Sequence, residues 1–426
     1  MKRYLTGIDW VINSMDYIEK IQSGIGNVSQ VVVELDGQLD SGVLRESLRD
    51  FLKKFPVLYG LPSRNINLCP YWKVFSRGRD AQVRLNVAQI GDADDPLPLL
   101  EAEINKPFAD DRELLVFTLV NAGPKSFLGM TFDHRILDAR GAETLLDYFQ
   151  RYYQKKNIPD ISLGESPHLD QWKEKFKAGR QVNRMFLGLA KETSRSLPAS
   201  SKSRACKLKT VHLDLDQASL FIENAYAKAG YLMLMPYALA RSVQLMHRIF
   251  EVRNIPGRAY LIPLSIDSRL REASGDQLFF NHLSFLFFKI DADVAGNFTL
   301  LLASIKEQMY AQVKAGLPEA IKRASFLLRI APLPLVNFFL KFLSQKNFSS
   351  FVFSFVNSVY NSKGFMEQAV RNMFHLPRVP NPPGVGIFFN QFKGVLNITL
   401  SYLEGVLSEE EADSIGGAFK DIGNES

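Results

Sequence analysis

The sequence predicts an α/β protein with two lobes, each containing a mixed sheet and helices, and three observations support this. The chain has 426 residues, which is too long for one ordinary domain and suits two units of about 200 residues. Strand-like and helix-like runs alternate in both halves. A polar stretch over 181–208 separates them. We therefore predict an N-terminal lobe over 1–180, a linker over 181–208 and a C-terminal lobe over 209–426.

The elements of the first lobe follow from local pattern. A β-branched run ending in Asp-Gly predicts a strand over 28–37. Apolar residues at helical spacing predict a helix over 41–56, with Ser41 as N-cap and Pro56 at its end. The same rules predict strands over 71–77, 81–90, 114–120 and 126–132, and a helix over 141–156.

The second lobe is predicted to begin at the strand-like run 211–216. Its later strands are predicted at 259–267, at 281–290 and as two runs within 385–405. Its helices are predicted at 217–230, 232–250, 299–315 and 407–422.

Composition and charge indicate in which cellular compartment the protein is expected and which kinds of binding partner are not expected. Cys69 and Cys206 are the two cysteines and form no CxxC pair, so we expect a reducing compartment and no structural metal. The N-terminus has no uninterrupted apolar core of a signal peptide, and no apolar run is long enough for a spanning helix. We expect a soluble cytoplasmic protein. The net charge of +6 comes without any nucleic-acid-binding motif, so nucleic acid is not an expected partner.

The chemistry is predicted to lie in the segment DHRILDARG, 133–141, between the strand 126–132 and the helix 141–156. His134 follows the strand directly, and Asp138 lies four residues later. An imidazole suits removal of a proton from a hydroxyl or amine, because its pKa lies near working pH. Asp138 is positioned to hold the loop through a cation.

This segment resembles the HHxxxDG signature of the superfamily that contains chloramphenicol acetyltransferases, peptide-synthetase condensation domains, wax ester synthases and BAHD acyltransferases. The second histidine and the aspartate of the signature match His134 and Asp138. The sequence departs from it at Asp133, where the signature has His, and at Ala139, where it has Gly. The resemblance implies two chloramphenicol-acetyltransferase-like lobes with a channel between them, and His134 as catalytic base.

Further segments resemble the same superfamily in the same order along the chain. The stretch 105–120 is similar to the Pro-Phe-containing segment upstream of the histidine, and 382–405 to the C-terminal part. The segment 265–281 resembles a strand giving DxRxR and then Gly-Asn, with Arg271 as the last arginine and Phe280 in place of the Gly. In the family an arginine here pairs with the signature aspartate, which implies that Arg269 pairs with Asp138.

The remaining candidate site residues are predicted to lie near the channel. Ser354 and Asn357 fall where relatives carry a Ser/Asn-containing turn, and either could donate to an oxyanion or simply belong to a turn. Asn281 is a third candidate for the oxyanion or the channel. The other histidines lack metal-ligand spacing, and no motif for a serine hydrolase, an NTPase or a dehydrogenase is present.

The segment 321–355 combines many apolar residues with basic ones, and 302–349 carries seven basic and two acidic residues. We favour a helix packed over the second lobe. The alternative is an interfacial helix that gives peripheral membrane contact, or a lid on an acyl channel.

The function expected from these observations is transfer of an acyl group from a thioester to a hydroxyl or amine, without cofactor. No carrier segment is evident in the sequence, so acyl-CoA is the simpler donor. Two alternatives stay open: a condensation enzyme supplied by an acyl carrier protein, and a catalytically inactive binding protein on the same scaffold, which the departures at Asp133 and Ala139 suggest.

Overall fold

The computed structural model describes part of the chain in full and a few residues by backbone alone. The described residues are 2–75, 83–159, 161, 163, 166–191, 194–198, 205–269, 277–344 and 349–422, with 339–344 and 422 described by backbone only.

Strands and helices alternate along the described chain. The strands are Lys2–Tyr4 (β1), Val28–Leu35 (β2), Leu61–Arg64 (β3), Pro70–Lys73 (β4), Arg84–Ile90 (β5), Leu115–Ala122 (β6), Lys125–Asp133 (β7), Cys206–Leu213 (β8), Ala259–Asp267 (β9), Leu283–Asp291 (β10), Val352–Asn357 (β11), Gly364–Phe365 (β12), Gln368–Pro377 (β13), Val385–Phe392 (β14) and Val395–Leu403 (β15). The helices are Gly7–Ser23 (α1), Ser41–Leu52 (α2), Leu97–Ile104 (α3), Ala139–Tyr153 (α4), Trp172–Leu189 (α5), Leu215–Ala229 (α6), Leu234–Val252 (α7), Ala292–Ala295 (α8), Phe298–Lys314 (α9), Leu317–Leu328 (α10), Leu333–Ser344 (α11) and Glu409–Ile422 (α12), with a 3-10 turn at Pro56–Tyr59.

Within the described residues these strands form two large sheets and one small one. The first sheet has the order β12-β13-β2-β7-β6-β5, and the second has the order β10-β9-β11-β14-β15-β8. The first is antiparallel except for the parallel pair β5–β6, and β11 is parallel to both of its neighbours in the second. Strands β1, β4 and β3 form the small sheet. The predicted α/β class with mixed sheets is confirmed.

Two hydrophobic cores pack against the faces of the sheets. Alternate residues of β2 face opposite ways: Val31 belongs to a core shared with α2 and α4, while Val32 belongs to the core of the second lobe. Phe374 of β13 also contributes to that second core. The first sheet is therefore buried on both faces, and one face packs towards the other lobe.

The chain crosses between the lobes after β11. Residues 364–377 form β12 and β13 of the first sheet, although they lie within 209–426, the range predicted for the second lobe. At the other boundary, α5 extends through Leu189 into the predicted linker, and β8 begins at Cys206. Linker residues 192–193 and 199–204 lie outside the described part of the chain.

One local prediction is corrected. Helix α2 is capped by Asp40 and not by Ser41, because the Asp40 Oδ1 accepts from the amides of Gly42 and Val43 at 2.8 and 2.9 Å. The helix ends at Leu52, before Pro56.

The segment 321–355 contains the end of α10, then α11 and β11. Helix α10 packs between α5, α1 and β10, and α11 packs against α1. Arg64 donates to the carbonyls of Arg329 and Ile330 at 3.0 and 2.8 Å between the two helices. The described part of the segment thus contacts both lobes, whereas the favoured prediction was a helix packed over the second lobe. No helix in the described part of the chain combines the length and the apolarity needed to cross a membrane.

Candidate active site

His134 lies where β7 ends and is the accessible residue of its loop. Its backbone amide donates to the carbonyl of Asn27 at 2.9 Å, which fixes the main chain at the edge of the sheet. From Thr131 to Asp138 every residue except His134 is buried, and His134 is half-buried. The imidazole of His134 is therefore partly accessible to solvent, while its neighbours in the loop are buried.

Asn281 holds the imidazole in one orientation. Its Nδ2 donates to the carbonyl of His134 at 2.8 Å, which leaves its Oδ1 as the acceptor facing His134 Nδ1 at 3.0 Å. Because an amide oxygen can only accept, Nδ1 must carry the proton. Nε2 then keeps its lone pair, and among the described residues no hydrogen bond to Nε2 occurs. This is the tautomer that a general base requires.

Asp138 anchors the far end of the loop and caps α4. Its Oδ1 accepts from Gly141 N at 2.8 Å and from Arg269 Nη2 at 2.6 Å, and its Oδ2 accepts from His282 N at 3.0 Å. Burial alone would raise the pKa of Asp138, but the charge of Arg269 and these donors lower it below the usual value. The pairing of Arg269 with Asp138 that the resemblance implied is present in the structure.

Arg269 belongs to a larger network that crosses between the lobes. Its Nη1 lies 2.9 Å from Asp267 Oδ1, and Asp267 Oδ2 lies 2.8 Å from Arg140 Nη1. The network therefore runs in the order Asp138, Arg269, Asp267, Arg140. Its two outer members belong to the first lobe and its two inner members to the second. Arg271, which the resemblance also matched, lies outside the described residues.

Asp133, at the position of the first histidine of the resembling signature, is buried and paired within the protein. It is 1% exposed, and Arg135 Nη2 lies 2.6 Å from its Oδ2. Arg135 also lies 3.4 Å from Asp16, and Asp16 lies 3.0 Å from Lys20. Burial would raise the pKa of Asp133, but Arg135 lowers it, whereas burial and the nearby Asp133 charge raise the pKa of Asp16.

Asp9, which was not predicted from the sequence, accepts a hydrogen bond from the backbone of Asn281. Asp9 is fully buried and accepts from Asn281 N at 3.0 Å, from Thr6 N at 2.8 Å and from Arg3 Nη1 at 2.7 Å. The spacing Thr6-x-x-Asp9 is a capping-box signal for the start of α1 and could have located this residue. Its link to Asn281, far away in sequence, is not a local property.

Phe280 stands where the resembling pattern has glycine before the asparagine, and its backbone conformation is unusual for a residue with a side chain. Its φ is +71°, in the left-handed region that favours glycine. Phe280 is 1% exposed, and its ring packs edge-on against Trp72 at 5.7 Å and lies beneath the guanidinium of Arg3 at 3.9 Å. Burial of the ring offsets the backbone strain.

Ser354 and Asn357 lie on β11, and the structure does not join them to the cluster at His134. Phe353 of β11 pairs with Leu264 of the parallel strand β9. The carboxyl ends of both strands therefore lie at the same end of the sheet, where Asp267 is found. Asn357 is exposed and Ser354 half-buried. No hydrogen bond between described residues connects either side chain to His134 or Asn281. The described residues also contain no group of three or more metal-ligating side chains able to hold an ion.

Comparison with known proteins rests on structure, since no protein-family model and no curated protein matches the sequence. The first condensation domain of the CDA synthetase superposes with a TM-score of 0.71 at 13% identity, covering 100% of this chain and 97% of that domain. The chain has the condensation-domain fold. A trichothecene 15-O-acetyltransferase from Fusarium sporotrichioides gives a TM-score of 0.69 at 11% identity, covering 99% of this chain and 94% of the enzyme.

A third solved structure contains a CoA compound. It is the starter condensation domain of a rhizomide synthetase in complex with C8-CoA, with a TM-score of 0.65 at 10% identity, covering 100% of this chain and 95% of that domain. The two-lobed fold predicted from the resemblance is thus confirmed over the full described chain.

Proposed function

We propose that this protein is an acyltransferase that moves an acyl group from a CoA or carrier thioester to a hydroxyl or amine, with His134 as general base. The observation that carries the proposal is the hydrogen bond between His134 Nδ1 and Asn281 Oδ1 at 3.0 Å. It leaves the Nε2 lone pair on a half-buried ring at the end of a strand. The shared fold with condensation domains and an acetyltransferase supports the same class of chemistry.

The reaction follows from that tautomer. Nε2 removes the proton of the acceptor as its oxygen or nitrogen attacks the thioester carbonyl carbon. The resulting tetrahedral oxyanion collapses, the carbon–sulfur bond breaks, and the leaving thiolate takes the proton back from Nε2. No covalent intermediate with the protein forms, and no cofactor other than the thioester substrate takes part.

Asn281 acts as a positioning residue for His134 in this mechanism. Its Oδ1 faces His134 Nδ1 and one N–H of its Nδ2 donates to the carbonyl of His134, which leaves the second N–H of Nδ2 for a substrate oxygen. Ser354, Asn357 and this second N–H of Asn281 remain the candidates for stabilising the oxyanion, where one well-placed donor is worth about 3–4 kcal/mol.

The decisive experiment compares the wild-type protein with His134→Ala in a free-thiol release assay using acyl-CoA and a panel of alcohols and amines. We expect turnover to fall by about 10²- to 10⁴-fold, because that is the usual contribution of a general base. The thermal midpoint should change little, since the ring is half-buried and packs little. His247→Ala is the matched control, because His247 is also half-buried and its Nδ1 contacts Tyr260 at 2.7 Å in the other lobe.

The same assay separates the alternatives. Release of thiol from an acyl carrier protein, with none from acyl-CoA, would identify a carrier-dependent condensation enzyme. A protein that binds acyl-CoA tightly but releases thiol no faster than His134→Ala would be an inactive binder. Full turnover by a folded His134→Ala protein would contradict the mechanism.

A further inference from the structure

The exposed face of α5 carries a stripe of cations. Lys173, Lys177, Arg180 and Arg184 are all exposed and follow one another at spacings of four, three and four residues. At 3.6 residues per turn these positions lie on one side of the helix. Among the described residues, no carboxylate lies within ion-pair distance of any of the four. The stripe therefore has no anionic partner within the described part of the chain.

Large apolar side chains lie within the same stripe. Phe176 and Leu187 are each 56% exposed, and with the four cations they fall within an arc of about 100°. The opposite side of α5 is buried, where Ala178 packs against Ala320 and Ala324 of α10. The outward face is thus both basic and apolar over a length of about 20 Å.

Helix α5 and its neighbour α10 account for most of the net charge of the chain. Helices α5 and α10 together contain seven basic and two acidic residues, a net charge of +5, while the whole chain has +6. The remainder of the chain is nearly neutral. Close to α10, Leu335 and Phe338 at the start of α11 are 46% and 66% exposed.

We propose that the outward face of α5 binds an anionic lipid surface, lying flat in the head-group region. Basic residues near such a surface are attracted to its charge, and exposed aromatic and aliphatic side chains enter the boundary with the acyl chains. A flat, fluid surface accommodates a straight stripe of this kind without shape complementarity. The site differs from the predicted contact through 321–355, because its cations lie on α5. It does not depend on His134.

The test is flotation with phosphatidylcholine vesicles containing about one-third phosphatidylglycerol, compared with pure phosphatidylcholine vesicles. The wild-type protein should float with the anionic vesicles at about 0.1 M salt and be released at about 1 M, where the Debye length falls to about 3 Å. Each basic residue contributes about fivefold to partitioning. The variant Lys177→Gln/Arg180→Gln/Arg184→Gln should therefore bind about a hundredfold more weakly.

The matched control is Lys54→Gln/Lys156→Gln/Lys228→Gln, which removes the same charge from exposed positions elsewhere. It should lose at most a fewfold, and His134→Ala should bind like the wild-type protein. If the α5 variant does not fold, Phe176→Ser/Leu187→Ser gives a second test and should also reduce flotation. Absence of flotation at low salt, or equal loss in both charge variants, would overturn the proposal. So would retention on polyglutamate beads without vesicle binding, which would assign the face to an acidic protein.

Discussion

Two charge networks flank His134, and they differ in where their members lie. The network on the Asp133 side joins Asp16, Lys20, Asp111, Asp133 and Arg135, all within the first lobe. The network on the Asp138 side joins Asp138, Arg140, Asp267 and Arg269 and crosses between the lobes. The Asp133 network contains two cations and three carboxylates, and the Asp138 network contains two cations and two carboxylates.

The two networks stabilise the His134 loop in different ways. The Asp133 network closes on neighbours that fold together, so it stabilises the end of β7 from inside the lobe. The Asp138 network brings together residues far apart in sequence and sets the second lobe against the first at His134. Asp133, at the position where the resembling signature has its first histidine, is part of this internal support.

Removing the central arginine of each network should have the largest effect. We expect Arg135→Met to cost about 3–5 kcal/mol in the free energy of unfolding, because it leaves two buried carboxylates without their main partner. Arg269→Met should cost less, near the lower end of that range, because Arg269 is 16% exposed against 6% for Arg135 and water can reach the site. Urea unfolding at neutral pH measures both.

Arg258→Met, at an exposed position, is the control and should stay within about 0.5 kcal/mol of the wild-type protein. A larger cost for Arg269→Met than for Arg135→Met would show that joining the lobes matters more to stability than burial does.

Glu19 gives a pH-dependent test that applies to the Asp133 side alone. Burial raises its pKa from 4.5 to about 7, against weaker lowering by the amide of Asn381 and the charge of Arg378. The folded protein therefore binds more protons than the unfolded chain between these values, and stability falls as pH rises through that window. Glu19→Gln should remove this fall and stabilise the protein above about pH 7 by about 3 kcal/mol.

Thermal midpoints measured from about pH 5 to about pH 8 test this expectation, with the exposed Glu223→Gln as control. The lowered pKa values of Asp133 and Asp138 act in the opposite direction, since their stabilisation is lost only as pH falls through their folded values. Parallel pH profiles for the wild-type protein and Glu19→Gln would show that Glu19 is not titrating in this window.

The outer cations of the two networks should have the smallest effects. Lys20 and Arg140 are 33% and 32% exposed, which makes Lys20→Gln and Arg140→Gln a matched pair. Each should cost at most about 1 kcal/mol, because exposed ion pairs are screened by water and salt. Unfolding at low and high salt should show both costs shrinking together. A cost for Arg140→Gln that persists in high salt would show that the contact with Asp267 is needed to hold the lobes together.

The sequence predicted most of the local elements, because hydrophobic period and turn residues are local signals. Strands β6, β7, β9, β14 and β15 and helices α4, α7 and α9 fall where they were predicted, with ends shifted by a few residues. Strand β13 was not predicted, and its place beside β2 depends on a pairing between residues more than three hundred positions apart.

For the site, local sequence pattern was enough to predict the loop that carries His134 and Asp138 and, through the resemblance, the arginine that reaches Asp138. The contacts of Asn281 with the imidazole, of Asp9 with Asn281 and of Asp133 with Arg135 became visible in the folded protein. The tertiary structure also decided which side of α5 faces outwards. The physical reason is that spacing within a segment sets periodicity and caps, whereas these contacts join segments whose separation in space depends on how the two lobes pack.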